Sequence, residues 1–296
     1  GRVDYMKISI VTPTYNRIKL LKQLYQSILQ NKKENREIEW LIMDDGSEDD
    51  TREIVEKWQK EGQIEIQYEK QENKGKMIAI NQIMPKATGD VVLECDSDDY
   101  FTPDAFSLIE QAWEENKTRK DIYAFCFLKY DTQGNNMGKE FQKKETTMFD
   151  LYFKEGENGE KALVFYRKIR QQYQYQMEKK ETFSTEARMF HKMDEKYKII
   201  TINKPIMICE YQKDGYTKNI MKQFKENPYG YYEYFKEILE KDMKGVSWKK
   251  RLYVIKHYIL FSYLTKQYNI KSIKNIINKI LYVFLFLPGI IKSHYI

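Results

Sequence analysis

Three aspartates, Asp96, Asp98 and Asp99, stand just beyond the apolar run Val91-Val92-Leu93. Alternating carboxylates at a strand end lie close together in a concave place, and like charges there repel unless a cation neutralises them. Hard oxygen ligands suit Mg²⁺ or Mn²⁺ held jointly with substrate phosphates. Such an ion would stabilise a departing diphosphate as a Lewis acid. The competing reading of Asp96-Ser97-Asp98-Asp99 is a solvated acidic turn that caps the next helix. An isolated pattern of this kind does not separate the two.

The elements that must position these aspartates alternate. Lys7 to Val11 and Ile38 to Met43 read as strands, with apolar residues at helical spacing from Ile18 to Leu29 between them. Asp49 or Asp50 is placed to cap a helix running to Trp58. Ile64 to Tyr68 is a strand, Gly75 to Met84 a helix and Asp90 to Cys95 a strand. A further helix runs from Pro103 to Trp113 and a strand from Asp121 to Tyr130. Strands alternating with helices at these lengths predict βαβ units and a parallel sheet. Ligands of such sheets lie outside the carboxyl ends of the strands. Three of these strands end in polar motifs, Thr14-Tyr15-Asn16-Arg17, Asp44-Asp45-Gly46-Ser47 and the aspartate cluster, which the fold gathers at one edge. No glycine-rich phosphate loop is present, which argues against an ordinary dinucleotide or ATP site. Further on, residues 161–180 show no clear periodicity and Thr185 to Tyr197 reads as helix. Ile199 to Cys209 reads as paired strands broken at Asn203-Lys204-Pro205. Beyond Pro228 the pattern is helical.

Taken in order, Val11-Thr12-Pro13-Thr14-Tyr15-Asn16-Arg17, Leu41-Ile42-Met43-Asp44-Asp45-Gly46-Ser47 with Asp49 and Thr51, Asn73-Lys74-Gly75-Lys76 with Ala79 and Asn81, and Gly89-Asp90 leading into Asp96-Ser97-Asp98-Asp99 form a spaced set. This set resembles the N-terminal half of family 2 glycosyltransferases, particularly bacterial capsule, surface-polysaccharide or teichoic-acid-type members. The resemblance is specific over about residues 6 to 115 and diffuse to about 220. It implies an α/β GT-A fold, a Rossmann-like nucleotide-sugar-binding mixed sheet flanked by helices, here with a C-terminal helical extension. The domains expected are a catalytic one over 6–225, with a nucleotide-binding half 6–115 and an acceptor half 116–225, and a basic amphipathic helical region over 226–296. The implied activity is inverting transfer of a sugar from a nucleotide-sugar, UDP-sugar favoured, to an acceptor hydroxyl on a glycan or a lipid-linked carrier. The implied roles put Tyr15 against the nucleobase and Asp45 as acceptor of a base N–H. Lys76 contacts the nucleotide, Asp96 approaches the ribose or donor sugar, and Asp98 holds Mn²⁺ or Mg²⁺. Thr12, Arg17 and Ser97 complete the donor-contacting set. Asp44, Gly46 and Asn81 read equally as turn and scaffold residues.

An inverting transfer needs a general base for the acceptor hydroxyl. The resemblance puts it in an acidic motif some 85 to 95 residues beyond the aspartates, where Phe183-Ser184-Thr185-Glu186-Ala187-Arg188 stands. Glu186 is the candidate; many relatives carry Glu-Asp where this chain has Glu-Ala. Its other reading is an acid in the first turn of a helix, favoured by the helix dipole. His191, five residues on, reads as a packing or partly exposed histidine. Arg188 or Lys213 is placed to neutralise a diphosphate, and the stretch around Asp214-Gly215 to form a lid or a simple turn. Two other classes compete. A nucleotidyltransferase would bring a glycine-rich N-terminal phosphate loop. A non-catalytic sugar- or membrane-binding relative would not need the intact aspartates.

Composition is that of an ordered chain, with 42% apolar and 32% charged residues among 296. The net charge of +6 is unevenly spread: from Lys241 onward there are 11 Lys and Arg against one Asp, a net +10, which leaves −4 for the first 240 residues. A basic tail on a mildly acidic body predicts an anionic surface as partner. Trp248 to Tyr253 and Leu281 to Leu287 have the composition of interfacial helices. The tail therefore either lies on an anionic membrane or packs on the catalytic domain or a second subunit, as in a homo-oligomer. No nucleic-acid partner is expected. Cys95, Cys126 and Cys209 sit in apolar runs and read as buried, reduced thiols. No signal peptide or membrane-spanning run is apparent, so the expectation is a cytoplasmic protein, or one peripheral on the inner face of the membrane.

Overall fold

The computed structural model describes residues 5–210 and 219–293. The expected contributions of Lys213 and of Asp214-Gly215 lie outside the described residues. The chain divides into two units. The first holds the described residues of Gly1–Met148, Glu157–Gln174 and Met193–Gln212; the second holds those of Phe149–Gly156, Tyr175–Lys192 and Lys213–Ile296.

In chain order the elements are β1 (Lys7–Thr14), α1 (Ile18–Gln30), β2 (Glu37–Asp44), α2 (Thr51–Glu61), β3 (Glu65–Lys70), α3 (Lys76–Ile83), β4 (Val91–Glu94), β5 (Asp99–Phe101), α4 (Ala105–Asn116), β6 (Ile122–Asp131), β7 (Glu145–Thr146), α5 (Met148–Phe153), β8 (Lys161–Tyr166), α6 (Arg167–Arg170), α7 (Glu186–Asp194), β9 (Lys198–Cys209), α8 (Ile220–Glu226), α9 (Pro228–Leu239), α10 (Trp248–Thr265) and α11 (Ile276–Ser293).

The strands of the first unit form one mixed sheet in the order β3-β2-β1-β4-β8-β6-β9-β5, with β7 paired on β9. Strands β1 to β4 are mutually parallel. Strand β8 runs antiparallel to both β4 and β6. The core-facing side chains explain the packing. Leu21, Leu24, Tyr25 and Ile28 recur at helical spacing and bury one face of α1. Tyr25 stacks on Trp58 of α2 at 4.2 Å, and Trp40 of β2 lies parallel to both rings. Helix α2 ends at Gly62, whose φ of +61° is the left-handed conformation that terminates a helix at little steric cost.

Two sequence expectations are corrected here. Residues 161–180 contain a strand, β8, and the short helix α6. The Ile199 to Cys209 region is a single strand whose register against β6 slips between Phe127 and Leu128 and again before Lys129. Asn203-Lys204-Pro205 is a bulge that bends one strand, because proline interrupts the ladder without ending it.

The second unit is helical. Phe235, Tyr258, Ile259 and Phe261 of α9 and α10 centre its core, joined by Phe149 and Phe153 of α5 and by Tyr282 of α11. The aromatic faces of Phe149, Phe153 and Phe183 belong to the same apolar cluster as the C-terminal helices, so those earlier segments go with them.

Candidate active site

The ladder hydrogen bonds of β1, β2 and β4 continue beyond the strands and hold their polar ends side by side. Asp45 N–H donates to the Thr14 carbonyl at 2.8 Å, and Cys95 N–H to the Val11 carbonyl at 2.9 Å. Asn16 has a φ of +50°, tolerated by asparagine. Its N–H donates to Ser47 Oγ at 2.9 Å, while its Oδ1 accepts from Glu48 N–H at 2.8 Å. These two bonds lock the loop after β1 to the loop after β2. Asp49 starts both neighbouring helices, accepting from Ile18 N–H through Oδ2 and from Thr51 N–H and Oγ–H through Oδ1. Gly46 has a φ of +93°, and a Cβ there would stand 3.1 Å from the Asn73 nitrogen, so the turn after Asp45 requires glycine.

Asp44 is a turn residue, fully buried, accepting from Ser47 N–H at 2.7 Å and from the Tyr68 hydroxyl at 2.5 Å. Asp45 accepts from Gln71 Nε2 at 2.7 Å, Lys74 N–H at 2.8 Å and Gly75 N–H at 2.9 Å. A carboxylate has about four acceptor positions, so about one is left for a ligand N–H. Those three bonds also seat residues 71–75, which deliver Lys76 at the first position of α3.

Each aspartate of the cluster has a cation beside it. Lys76 Nζ lies 2.7 Å from Asp96 Oδ2, Arg17 Nη1 3.3 Å from Asp98 Oδ2, and Lys129 Nζ 2.7 Å from Asp99 Oδ2. Burial alone would raise Asp96, but Lys76, Lys129 and Arg17 outweigh it and hold its carboxyl below the usual range. Asp98 goes the other way. Burial, then Asp96, then Asp99 push it up to about 6, only partly offset by Arg17. Burial opposes the charge of Lys129 as well, yet Asp99 and Glu160 prevail and its pKa rises well above the usual lysine value.

This donor set fits a divalent cation of one kind. Asp98 is an oxygen ligand destabilised by its own neighbours, so a cation beside it relieves repulsion. Among the described residues no group of three or more His, Cys, Asp or Glu could enclose a metal ion. One or two carboxylates completed by substrate phosphates is the manner in which Mg²⁺ is commonly held.

Of the other expected residues, Tyr15 is 44% exposed with its ring available to a ligand, and Ser97 is buried within the aspartate turn. The Thr12 side chain is engaged in the core. It is fully buried, and its hydroxyl accepts the indole N–H of Trp40 at 2.9 Å. Alternation along β1 turns its side chain into the core. Thr12→Val should therefore leave nucleotide affinity unchanged while lowering stability by about 1–3 kcal/mol, the cost of an unsatisfied buried donor. Urea unfolding monitored through tryptophan fluorescence, beside nucleotide titration, checks both halves. Lys129 was missed in the sequence. Its signal was there: it is the one charged residue in the apolar stretch Ile122 to Tyr130, and a lysine buried in a strand needs a carboxylate.

In the second unit Glu186 is half-buried at the first residue of α7. Arg188 lies 2.7 Å from Glu237 and 3.0 Å from Glu178. His191 is a packing residue against Phe149, Phe153 and Tyr234, and burial, with Lys241 adding to it, lowers its pKa to about 3. All three cysteines are buried and unpaired in disulfides.

A mixed α/β sheet that presents an exposed tyrosine, a lysine at a helix start and a strand-end aspartate cluster has the build of the GT-A nucleotide-sugar enzymes. The match to known proteins agrees. The family model for glycosyl transferase family 2 matches residues 9–196, and the chain belongs to that family. It is 31% identical over 140 residues to the GalNAc(5)-diNAcBac-PP-undecaprenol β-1,3-glucosyltransferase of Campylobacter jejuni, covering 47% of this chain and 43% of that protein. It is 32% identical over 152 residues to an uncharacterised glycosyltransferase of Mycoplasma pneumoniae, covering 47% of this chain and 50% of the relative. The matches thus span half or less of these curated relatives. Among solved structures, residues 1–349 of Staphylococcus aureus TarS with UDP-GlcNAc superpose with a TM-score of 0.62 at 17% identity, over 90% of this chain and 74% of that one. The mannosyltransferase PcManGT of Pyrobaculum calidifontis, with GDP-Man and Mn²⁺, gives 0.56 at 14% identity, over 99% and 87%. These two likenesses establish the fold.

Proposed function

We propose that this chain is a metal-dependent inverting glycosyltransferase that moves a hexosyl or N-acetylhexosaminyl group from a UDP-sugar to an acceptor hydroxyl of a surface glycan. The observation that carries the reading is the convergence of Tyr15, Asp45, Lys76 and Asp98 at the carboxyl ends of β1, β2 and β4 and the start of α3. Tyr15 offers an aromatic face to a base. Asp45 keeps about one acceptor position for a base N–H, as uracil would supply. Lys76 and Arg17 are cations that can turn from Asp96 and Asp98 to a donor's phosphates. Asp98, with Asp96 beside it, would hold Mn²⁺ or Mg²⁺. The ion, when bound, supplies charge stabilisation to the leaving diphosphate. Glu186 is assigned as the base that takes the acceptor proton.

The names of two relatives support the acceptor class: the Campylobacter enzyme is named for a glycan on PP-undecaprenol, and TarS for poly(ribitol-phosphate). The nucleotide is the sharper question, since TarS was solved with UDP-GlcNAc and PcManGT with GDP-Man. Calorimetry with UDP, GDP and CDP in the presence of Mn²⁺ tests it. UDP should bind at least tenfold tighter than the other two; a preference for GDP would show that Asp45 does not read uracil. UDP release on addition of a glycan acceptor then separates an enzyme from a binding relative.

A further inference from the structure

Helix α11 carries apolar side chains on two opposite faces. On one, Tyr282 is buried, its ring 5.8 Å from that of Tyr258 in α10, and Leu281, Leu285 and Phe286 pack into the same cluster. On the other, Ile276, Ile277, Ile280, Val283 and Phe284 are 42–76% exposed. Their spacing of i, i+1, i+4, i+7 and i+8 places them in one stripe about two turns long. Exposed apolar residues scattered singly are ordinary, whereas a continuous stripe marks a surface that meets something.

What it meets is indicated by charge. Lys266, Lys271 and Lys274 are exposed in the connection leading into α11, and Lys279 borders the stripe. Tyr268 and Ile270 of that connection are also exposed, and the Tyr268 ring meets Phe286 edge-on at 5.8 Å. From Met243 to the end there are ten Lys and Arg and no Asp or Glu. No described helix is long and apolar enough to cross a membrane. A second copy of the chain would bring these lysines against one another, while an anionic leaflet supplies the opposite charge along with an apolar layer.

We propose that the outer stripe of α11 docks the protein on an anionic lipid bilayer, with the helix lying in the headgroup plane and Lys271, Lys274 and Lys279 on lipid phosphates. The proposal is independent of the sugar-transfer reading, because vesicle binding is measured without donor or acceptor.

Co-sedimentation of the full chain with phosphatidylcholine vesicles, with and without phosphatidylglycerol, tests it. The wild type should pellet with the phosphatidylglycerol vesicles at low salt and be released at high salt. Ile280→Asn/Val283→Asn/Phe284→Asn changes only exposed side chains and should weaken partitioning by roughly tenfold or more. Lys271→Glu/Lys274→Glu leaves the stripe intact and should do the same. Absence of binding to either vesicle, or binding that both variants retain, overturns the proposal. So does concentration-dependent self-association in sedimentation velocity that the apolar variant abolishes while vesicles are ignored, since the stripe would then belong to a second copy.

Discussion

Asp98→Asn should abolish Mn²⁺-dependent donor binding and lower transfer by at least about a thousandfold, without unfolding the protein. Two physical terms fix the direction. The first is the loss of an anionic oxygen ligand where few others are offered: Asp96 is engaged by Lys76 at 2.7 Å and Asp99 by Lys129 at 2.7 Å, leaving Asp98 with the longer 3.3 Å contact to Arg17. Removing stabilisation of a developing diphosphate charge typically costs about 10²–10³ in rate from a single donor, and loss of a metal costs more. The second is stability. The ionised form of Asp98 is disfavoured in the fold, since its pKa is pushed up to about 6 by burial and by Asp96 and Asp99. At neutral pH, above both its folded and unfolded values, that charge is a net cost; it is relieved as pH falls through about 6 toward the ordinary value of 3.8, because the folded state takes up the proton first. Neutral Asn should therefore leave the urea midpoint unchanged or raise it, by about 1 kcal/mol at most after screening at a partly exposed group. Chelation of the wild type should mimic the binding defect. A variant that keeps full Mn²⁺-dependent affinity would remove Asp98 from the metal site.

The strand-end motifs were legible because the sheet is built from local signals. The apolar runs of β1, β2 and β4 each stop at a polar motif, and a parallel sheet must bring those stops together. The helix start at Asp49 or Asp50 was readable for the same reason, since Asp49 Oδ1 accepts from Thr51 N–H only two residues on, whereas its bond to Ile18 N–H, 31 residues away, was not. What escaped was non-local. Strand β8 is Lys-Ala-Leu-Val-Phe-Tyr, an apolar run buried on both sides, whose lack of alternation hides it in a polar, aromatic surrounding. The partnership of Lys129 with Asp99 spans 30 residues and depends on β6 and β5 both pairing with β9. Thr12 sat within a matched motif, and only the Trp40 indole shows that its hydroxyl is spent in the core. Motif membership nominated the candidate site; the ion pairs that set its charge needed coordinates. The helical tail shows the same limit, since its composition allowed either packing or an interface, and the fold of the second unit packs one face of α11 and leaves the other exposed.

Glu186→Gln should cost about 10²–10⁴ in transfer rate, the range for loss of a general base, while changing donor affinity by less than about twofold. Glutamine keeps the size and the hydrogen-bonding reach of the side chain but cannot accept a proton, so the variant isolates proton transfer from packing. Glu186 occupies the first residue of α7, where the helix dipole favours a negative charge by about 0.3–1 kcal/mol. The structural reading of Glu186 therefore makes its own prediction: a small drop in stability, little change in rate, and equal loss in Glu186→Gln and Glu186→Ala. The base reading predicts a large loss in kcat at saturating donor in both variants and an unchanged urea midpoint within about 1 kcal/mol. A further distinction comes from donor hydrolysis. Water attacking the donor without an acceptor has less need of the carboxylate's position than a glycan hydroxyl does, so the ratio of transfer to hydrolysis should fall in the glutamine variant. If transfer persists in Glu186→Gln while nucleotide binding weakens, the carboxylate is structural and the acceptor proton goes to another group.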